Sequence, residues 1–275
     1  MQIWQAAVLG VVEGLTEFLP VSSTGHLTIT EKILGLEVDD ASVTGFTAVI
    51  QTGAILAAVI YFFRDIVRIV VGFVKGLFSR RHRDFNYRFG WYVIVGSLPI
   101  AIAGVLGKDA ITGPLRNLWV VAVSLILWSA VMVYAERVGA RTRHEKDVNL
   151  TDSVVIGVAQ AAALFPGVSR SGATISFGLI RDLDRVTATR MAFFLGIPAL
   201  LGGGAFELKD AVSGPSVGIP ALVVGTVVSF VVGYASIAWL LRFVAKHTMM
   251  TFVVYRVLLG VALIVALGGG WLAAT

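Results

Sequence analysis

The 275-residue sequence contains no cysteine and little charge, with Asp, Glu, Lys and Arg together making up 14% of it. Without thiols there can be no disulfides, no thiolate metal centre and no cysteine nucleophile. Soluble domains carry roughly 25% charged residues. A chain that is 57% hydrophobic, with a mean hydropathy of +0.86, cannot turn a wholly water-facing surface outward. The N-terminal stretch lacks a basic leader, and Glu13 and Glu17 fall where a signal peptide needs its apolar core, so the segment is expected to be retained. No nucleic-acid motif is present, and membrane orientation with anionic lipid accounts for the net charge of +5. Three of the four histidines, His82, His144 and His247, lie in basic loops and read as solvated.

What the sequence has in abundance is long uncharged or nearly uncharged runs. Five, at about 44–63, 90–107, 117–135, 217–241 and 252–271, approach or exceed the ~20 residues that cross a bilayer. A sixth, at about 191–207, is shorter and glycine-rich, as a tightly packed span would be. If each run crosses once, sixteen basic residues fall on one side and four (Lys32, Lys108, Arg116 and Lys209) on the other. The basic side is therefore the cytoplasm, and the acidic 31–43 loop faces outward. The stretch 65–78 alternates basic and apolar residues at helical spacing and predicts an amphipathic helix on the cytoplasmic interface.

Two apolar segments, about 1–30 and 152–180, are each broken mid-way, by Leu19-Pro20 and by Pro166-Gly167. Proline removes a backbone donor and disfavours helix before it. Broken backbone at membrane depth survives where protein or a water-filled cavity surrounds it, so both segments read as re-entrant hairpins. A shift of 147 positions superposes them without a gap: Gly10 on Gly157, Val11 on Val158, Glu13 on Gln160, Phe18 on Phe165, Val21 on Val168, Ser22 on Ser169, and Gly25 on Gly172. Three spans separate the copies, and an odd number makes the second hairpin enter from the opposite face. The expected fold is an all-α integral membrane protein of about six transmembrane helices plus two re-entrant hairpins, related as an inverted-topology repeat. It forms one membrane domain, 1–275, with repeat one at about 1–135 and repeat two at about 152–271. Such repeats place their site near the midplane, where the broken helices meet.

The first tip, EGLTEFLPVSSTGH, puts Glu13 and Glu17 at i and i+4 on one helical face. Ionisable groups inside a membrane segment are costly, so they mark a site. The pair suits a shared divalent cation, Mg or Ca, or a general base. Ser22, Ser23 and Thr24 stand where a second helix begins, and its free N–H groups attract anions. His26 follows Ser23 by three residues, so both reach one face, as nucleophile and base require. The second tip, PGVSRSGAT, repeats the hydroxyls with Ser169, Ser171 and Thr174 around Gly172 and adds Arg170, whose planar fork matches phosphate oxygens. Gln160 stands in the place of Glu13. The pattern is carboxylates and histidine from one tip, guanidinium and hydroxyls from the other.

These motifs, with the MAFFLGIPAL stretch at 191–200, resemble those of the bacterial undecaprenyl-diphosphatase family of the bacitracin-resistance type, over nearly the whole chain. The resemblance implies hydrolysis of undecaprenyl diphosphate in the bacterial inner membrane and recycling of the lipid carrier for cell-wall synthesis. It also implies a divalent cation and a site opening to the periplasmic side. By the same carry-over, Glu13, Glu17, Ser23, His26 and Arg170 are essential, with Ser22, Ser169, Ser171 and Thr174 around the diphosphate. The residues leave the nucleophile open among Ser23, His26 and water. A transporter or flippase for a phosphorylated lipid or anion would share the inverted repeat and a midplane site. The phosphohistidine class of membrane lipid phosphatases wants a histidine near Arg170, which is absent. Polyprenyl diphosphate and membrane lipids are the expected partners, and the glycine-rich spans would permit a homodimer.

Overall fold

The computed structural model describes residues 1–38, 40–107, 115, 117–213 and 217–274. Lys108, Arg116 and the Lys209 side chain, three of the four basic residues assigned to the outer side, lie outside the described residues, as does Asp39 of the acidic loop. Among the described residues the secondary structure is helical: α1 (Ile3–Thr16), α2 (Ser23–Ile33), α3 (Ala41–Tyr61), α4 (Phe63–Phe78), α5 (Phe85–Leu106), α6 (Leu118–Val138), α7 (Leu150–Ala161), α8 (Arg170–Ile180), α9 (Arg185–Ser213), α10 (Ile219–Val244) and α11 (Met250–Gly268). Six of them, α3, α5, α6, α9 (as far as Gly204), α10 and α11, are long and apolar enough to cross a membrane, one for each expected run. The molecule is inside-out relative to a soluble domain. Large apolar side chains such as Leu127, Val223, Val231, Leu258 and Val265 are exposed, whereas Glu13, Asp152, Gln160 and Arg256 are buried. This is the distribution a hydrocarbon solvent selects.

The two broken segments form helix–turn–helix hairpins. Gln5 donates to the Leu34 carbonyl, so the first hairpin begins and ends at one end of the bundle. Asp152, in the first turn of α7, pairs with Arg143 and with Arg181, which follows α8, so the second hairpin begins and ends at the opposite end. The register predicted from sequence reappears in the backbone: α2 and α8 start and finish 147 residues apart. Their N-caps, Ser22 and Ser169, share a left-handed φ of 78° and 76°. Serine adopts that region at a cost of order 1–3 kcal/mol. Each is held there by its own hydroxyl, which accepts from the N–H of Gly25 and Gly172 respectively. Each hairpin's first helix also crosses a span at a glycine contact. A Cβ on Gly10 would lie 2.5 Å from the Gly225 carbonyl of α10, and one on Gly157 would lie 2.1 Å from the Gly96 carbonyl of α5. Small residues are what allow helices to approach so closely in a membrane.

The loops assigned to the basic side are tied together by two clusters of ion pairs and, for the fourth loop, by a backbone hydrogen bond. Arg190 pairs with Asp65 and Glu145, Arg68 with the same two carboxylates, and Arg185 with Glu136, which also accepts from the Met249 N–H. Burial alone would raise the Asp184 carboxyl, but hydrogen bonds from Thr187 and the His144 ring hold it below the usual carboxylate range. At the other end, Lys32 donates to the Ala273 carbonyl and Leu118 N–H to that of Ala274.

Candidate functional site

The hairpin tips touch. Ser22 Oγ accepts from the Gly167 N–H at 3.2 Å, and Ser171 Oγ donates to the Leu19 carbonyl at 3.0 Å, so each tip binds the backbone of the other. A third tie comes from Arg256, which is fully buried in the middle of α11. Its guanidinium donates to the carbonyls of Pro20 (3.2 Å), Gly167 (2.9 Å) and Leu125 (3.4 Å) and to Ser129 Oγ (3.3 Å). Both prolines leave a broken turn with free carbonyls at membrane depth, and one guanidinium satisfies a carbonyl from each. Arg256 was not among the residues singled out from sequence. The signal was there, since a lone arginine inside an otherwise uncharged span is a functional or structural commitment by default.

Glu17 stands at the junction. Its Oε2 accepts from Ser23 Oγ at 2.7 Å, and its Oε1 accepts from Arg170 Nη2 at 3.1 Å. Ser23 and Arg170 are the first residues of α2 and α8, equivalent positions in the 147-residue register, so one carboxylate bridges the matched helix N-termini of both copies. Helical side chains lean toward the N-terminus, which aims Ser23 back at the end of α1 rather than forward at His26. Of the acceptors that the sequence offers to Ser23, His26 or a glutamate, the structure pairs its hydroxyl with Glu17. His26 is held elsewhere: Nδ1 lies 2.7 Å from the Ser22 carbonyl and Nε2 lies 2.6 Å from Tyr255 Oη, with the rings stacked. A carbonyl only accepts, so Nδ1 carries the proton and Nε2 accepts from the tyrosine. Tyr255 is a second residue that sequence did not single out.

Glu13, one turn before Glu17, is 1% exposed. Gln160, its counterpart, is 0% exposed, and its amide has no hydrogen-bond partner among the described residues. Buried amides are ordinarily bonded, so Gln160 is available to a bound molecule or water. Arg170 Nε is likewise buried and unbonded, while its Nη1 donates to the Ala192 carbonyl. Ser169 and Ser171 exchange a hydrogen bond at 3.2 Å. Thr174 is fully buried and donates to carbonyls of its own helix, and the Thr24 side chain is exposed at the rim.

The MAFFLGIPAL stretch explains how α9 shapes this place. Phe193 packs on Phe18 and Phe62, and Phe194 on Phe62 and Phe89, which forms an aromatic floor beneath the tips. Gly196 makes room for the guanidinium, because a Cβ there would lie 1.4 Å from Arg170 Nη1.

The family described as bacitracin resistance protein BacA matches residues 6–262. The chain belongs to this family. It is 57% identical over 272 residues to undecaprenyl-diphosphatase 1 of Streptomyces avermitilis, covering 98% of each chain. It is 56% identical to the undecaprenyl-diphosphatase of Acidothermus cellulolyticus over 96% of each chain, and 50% identical to that of Mycobacterium bovis over the full length of both. The BacA match takes in both hairpin tips, the Phe193–Gly196 floor and Arg256, and so covers every residue of the site described above.

Proposed function

We propose that this BacA protein is a multi-pass phosphatase of the bacterial inner membrane that hydrolyses undecaprenyl diphosphate to undecaprenyl phosphate and inorganic phosphate. In doing so it recycles the lipid carrier for cell-wall synthesis and confers bacitracin resistance. The observation that carries this reading is Glu17, bonded at once to a hydroxyl nucleophile and to a phosphate-matching guanidinium, each at the start of a helix. A substrate diphosphate draws Arg170 to its oxygens, where the guanidinium, the hydroxyls of Ser169 and Ser171, the N–H groups near Gly172 and the Gln160 amide offset the charge that grows in the transition state. Ser23 Oγ then attacks the terminal phosphorus, its proton passes to Glu17 Oε2, and the bond to the bridging oxygen breaks, so that undecaprenyl phosphate leaves. Water cleaves the phosphoserine, and Glu17 returns the proton. His26, oriented by Ser22 and Tyr255 one turn along α2 from Ser23, is a second group able to hold a proton, and Thr24 is an exposed position of the same turn.

Glu13 and Glu17 suit a divalent cation, Mg or Ca, of the kind that takes one or two carboxylates from protein and the rest from substrate phosphate. Bound there, the cation would neutralise phosphate charge. The site opens to the periplasmic side, the inverted pair extends over about 1–135 and 152–271, and the polyprenyl tail lies laterally in lipid. The glycine-rich spans leave room for a homodimer.

The test is phosphate release by the purified protein from a defined prenyl diphosphate in detergent, with Mg²⁺ or Ca²⁺ present. Turnover that Ser23→Ala abolishes supports the reading. Full turnover in Ser23→Ala removes the serine nucleophile in favour of water or His26. No release from any diphosphate lipid, with vesicle assays showing movement of the lipid or anion instead, replaces hydrolysis with transport.

A further inference from the structure

The end of the molecule that carries the Arg68–Asp65–Glu145 ion pairs has a second feature that the phosphatase reading does not use. Between Phe63 and Arg88 stand seven Lys and Arg residues against two acidic ones, an excess equal to the +5 of the whole chain. This segment is the expected amphipathic helix, α4, with the short turn Arg80–His82 and the start of α5. α4 lies close on α5: a Cβ on Gly76 would meet the Tyr87 ring at 2.3 Å, and one on Gly72 would meet Asn86 Cβ at 2.6 Å. Beside this contact lies an open cavity of about 350 Å³, lined by Val67, Arg68, Val71, Lys75, His82 and Asp84 among others.

The polar groups of the cavity divide by whether the protein already uses them. Arg68 pairs with Asp65 and Glu145. Asp84 caps α5 by accepting from the Tyr87 N–H. The side chains of Lys75 and His82 have no protein partner among the described residues, and both are exposed. The apolar side of the cavity, Val67 and Val71, runs without a break into the exposed face made by Phe63, Val70, Val74 and Phe78. On α5, Trp91 is also exposed and meets Phe73 edge-on, as an aromatic residue at the membrane interface does.

We infer that this cavity is a binding site for the headgroup of an anionic glycerophospholipid of the same membrane. Lys75 and His82 grip the phosphate, and the acyl chains lie along Val67 and Val71. The charge excess selects an anionic headgroup over a zwitterionic one. The valine wall selects a lipid over free phosphate, because a soluble anion gains nothing from it. α4 thereby holds a discrete lipid as well as resting on the surface.

Native mass spectrometry of the purified full chain tests this, with phosphatidylglycerol and phosphatidylcholine of matched acyl chains in competition. The expected result is at least ~10-fold preferential retention of phosphatidylglycerol. That preference is lost in Lys75→Ala/His82→Ala, kept in Lys75→Arg, and kept when Arg242 and Lys246 of another basic loop are replaced by alanine. Melting temperature and phosphate release should stay at wild-type values in the double variant, which separates loss of lipid from loss of fold. Equal retention of the two lipids overturns the site, and so does undiminished preference in the double variant. Displacement of the lipid by inorganic phosphate or glycerol phosphate at comparable concentration makes it a site for a soluble anion and overturns the lipid assignment.

Discussion

The two hairpin tips share a backbone and differ in chemistry. α2 and α8 begin 147 residues apart, and their serine N-caps hold the same left-handed conformation. Yet Glu13 faces Gln160 in the register, Ser23 faces Arg170, and His26 faces Ala173. The first tip can take and give protons, whereas the second offers hydrogen-bond donors and fixed positive charge. Two hairpins of like backbone thus bring acid–base groups and anion-binding groups to one point from opposite ends of the bundle. Had both tips kept carboxylates, they would repel a diphosphate. Two arginines without a carboxylate would bind it with no group positioned to activate an attacking hydroxyl.

The sharpest way to break this division is at the group the tips share. Glu17→Gln keeps the shape but removes both the proton acceptor of Ser23 and the counter-charge of Arg170, so phosphate release should fall by ~10³-fold or more while the protein stays folded by circular dichroism. On the opposite tip, Arg170→Lys retains charge without the fork and should cost ~10²-fold. Gly196→Ala should approach the same loss without touching a polar group, since its methyl would occupy the guanidinium's place. Measuring the two side by side tells whether position or charge of Arg170 matters more.

Uncoupling the tips should have a smaller effect on chemistry and a larger one on stability. Arg256→Met strands carbonyls from both turns, each unsatisfied group costing ~1–3 kcal/mol. A lowered melting temperature together with reduced turnover is the expected outcome, and an unchanged melting temperature would show that water replaces the guanidinium. Tyr255→Phe removes one hydrogen bond to His26 and should reduce turnover by about 5-fold, through a net loss of ~1 kcal/mol, with the pH profile displaced because the imidazole loses its donor. Thr24→Ala, at an exposed position without a side-chain hydrogen bond among the described residues, should change the rate by no more than about 2-fold.

What the sequence reveals of the structure, and what it conceals, follows from the range of the forces involved. Spans, hairpins and their shared register were legible because hydrocarbon tolerates neither unpaired backbone nor scattered charge, so length, proline and glycine report the fold directly. Arg256 was hidden by that same rule, since one charge in a long apolar run still passes as a span. Tyr255 and Gly196 carry no local signal, because each matters only for a residue far along the chain, His26 in one case and Arg170 in the other. Ser23 and His26 looked like partners from their spacing, but the lean of a side chain at a helix start sent the serine to Glu17 instead.

The order of residues by itself determined that this chain lives in a membrane, where its two broken segments lie and which chemical groups each tip brings, because those follow from solvent exclusion and local backbone limits. Which oxygen of Glu17 meets which partner, what holds the two turns together and which glycine clears space for a guanidinium were decided only when α9 and α11 packed against the tips, because contacts between distant parts of a chain depend on the whole arrangement of helices.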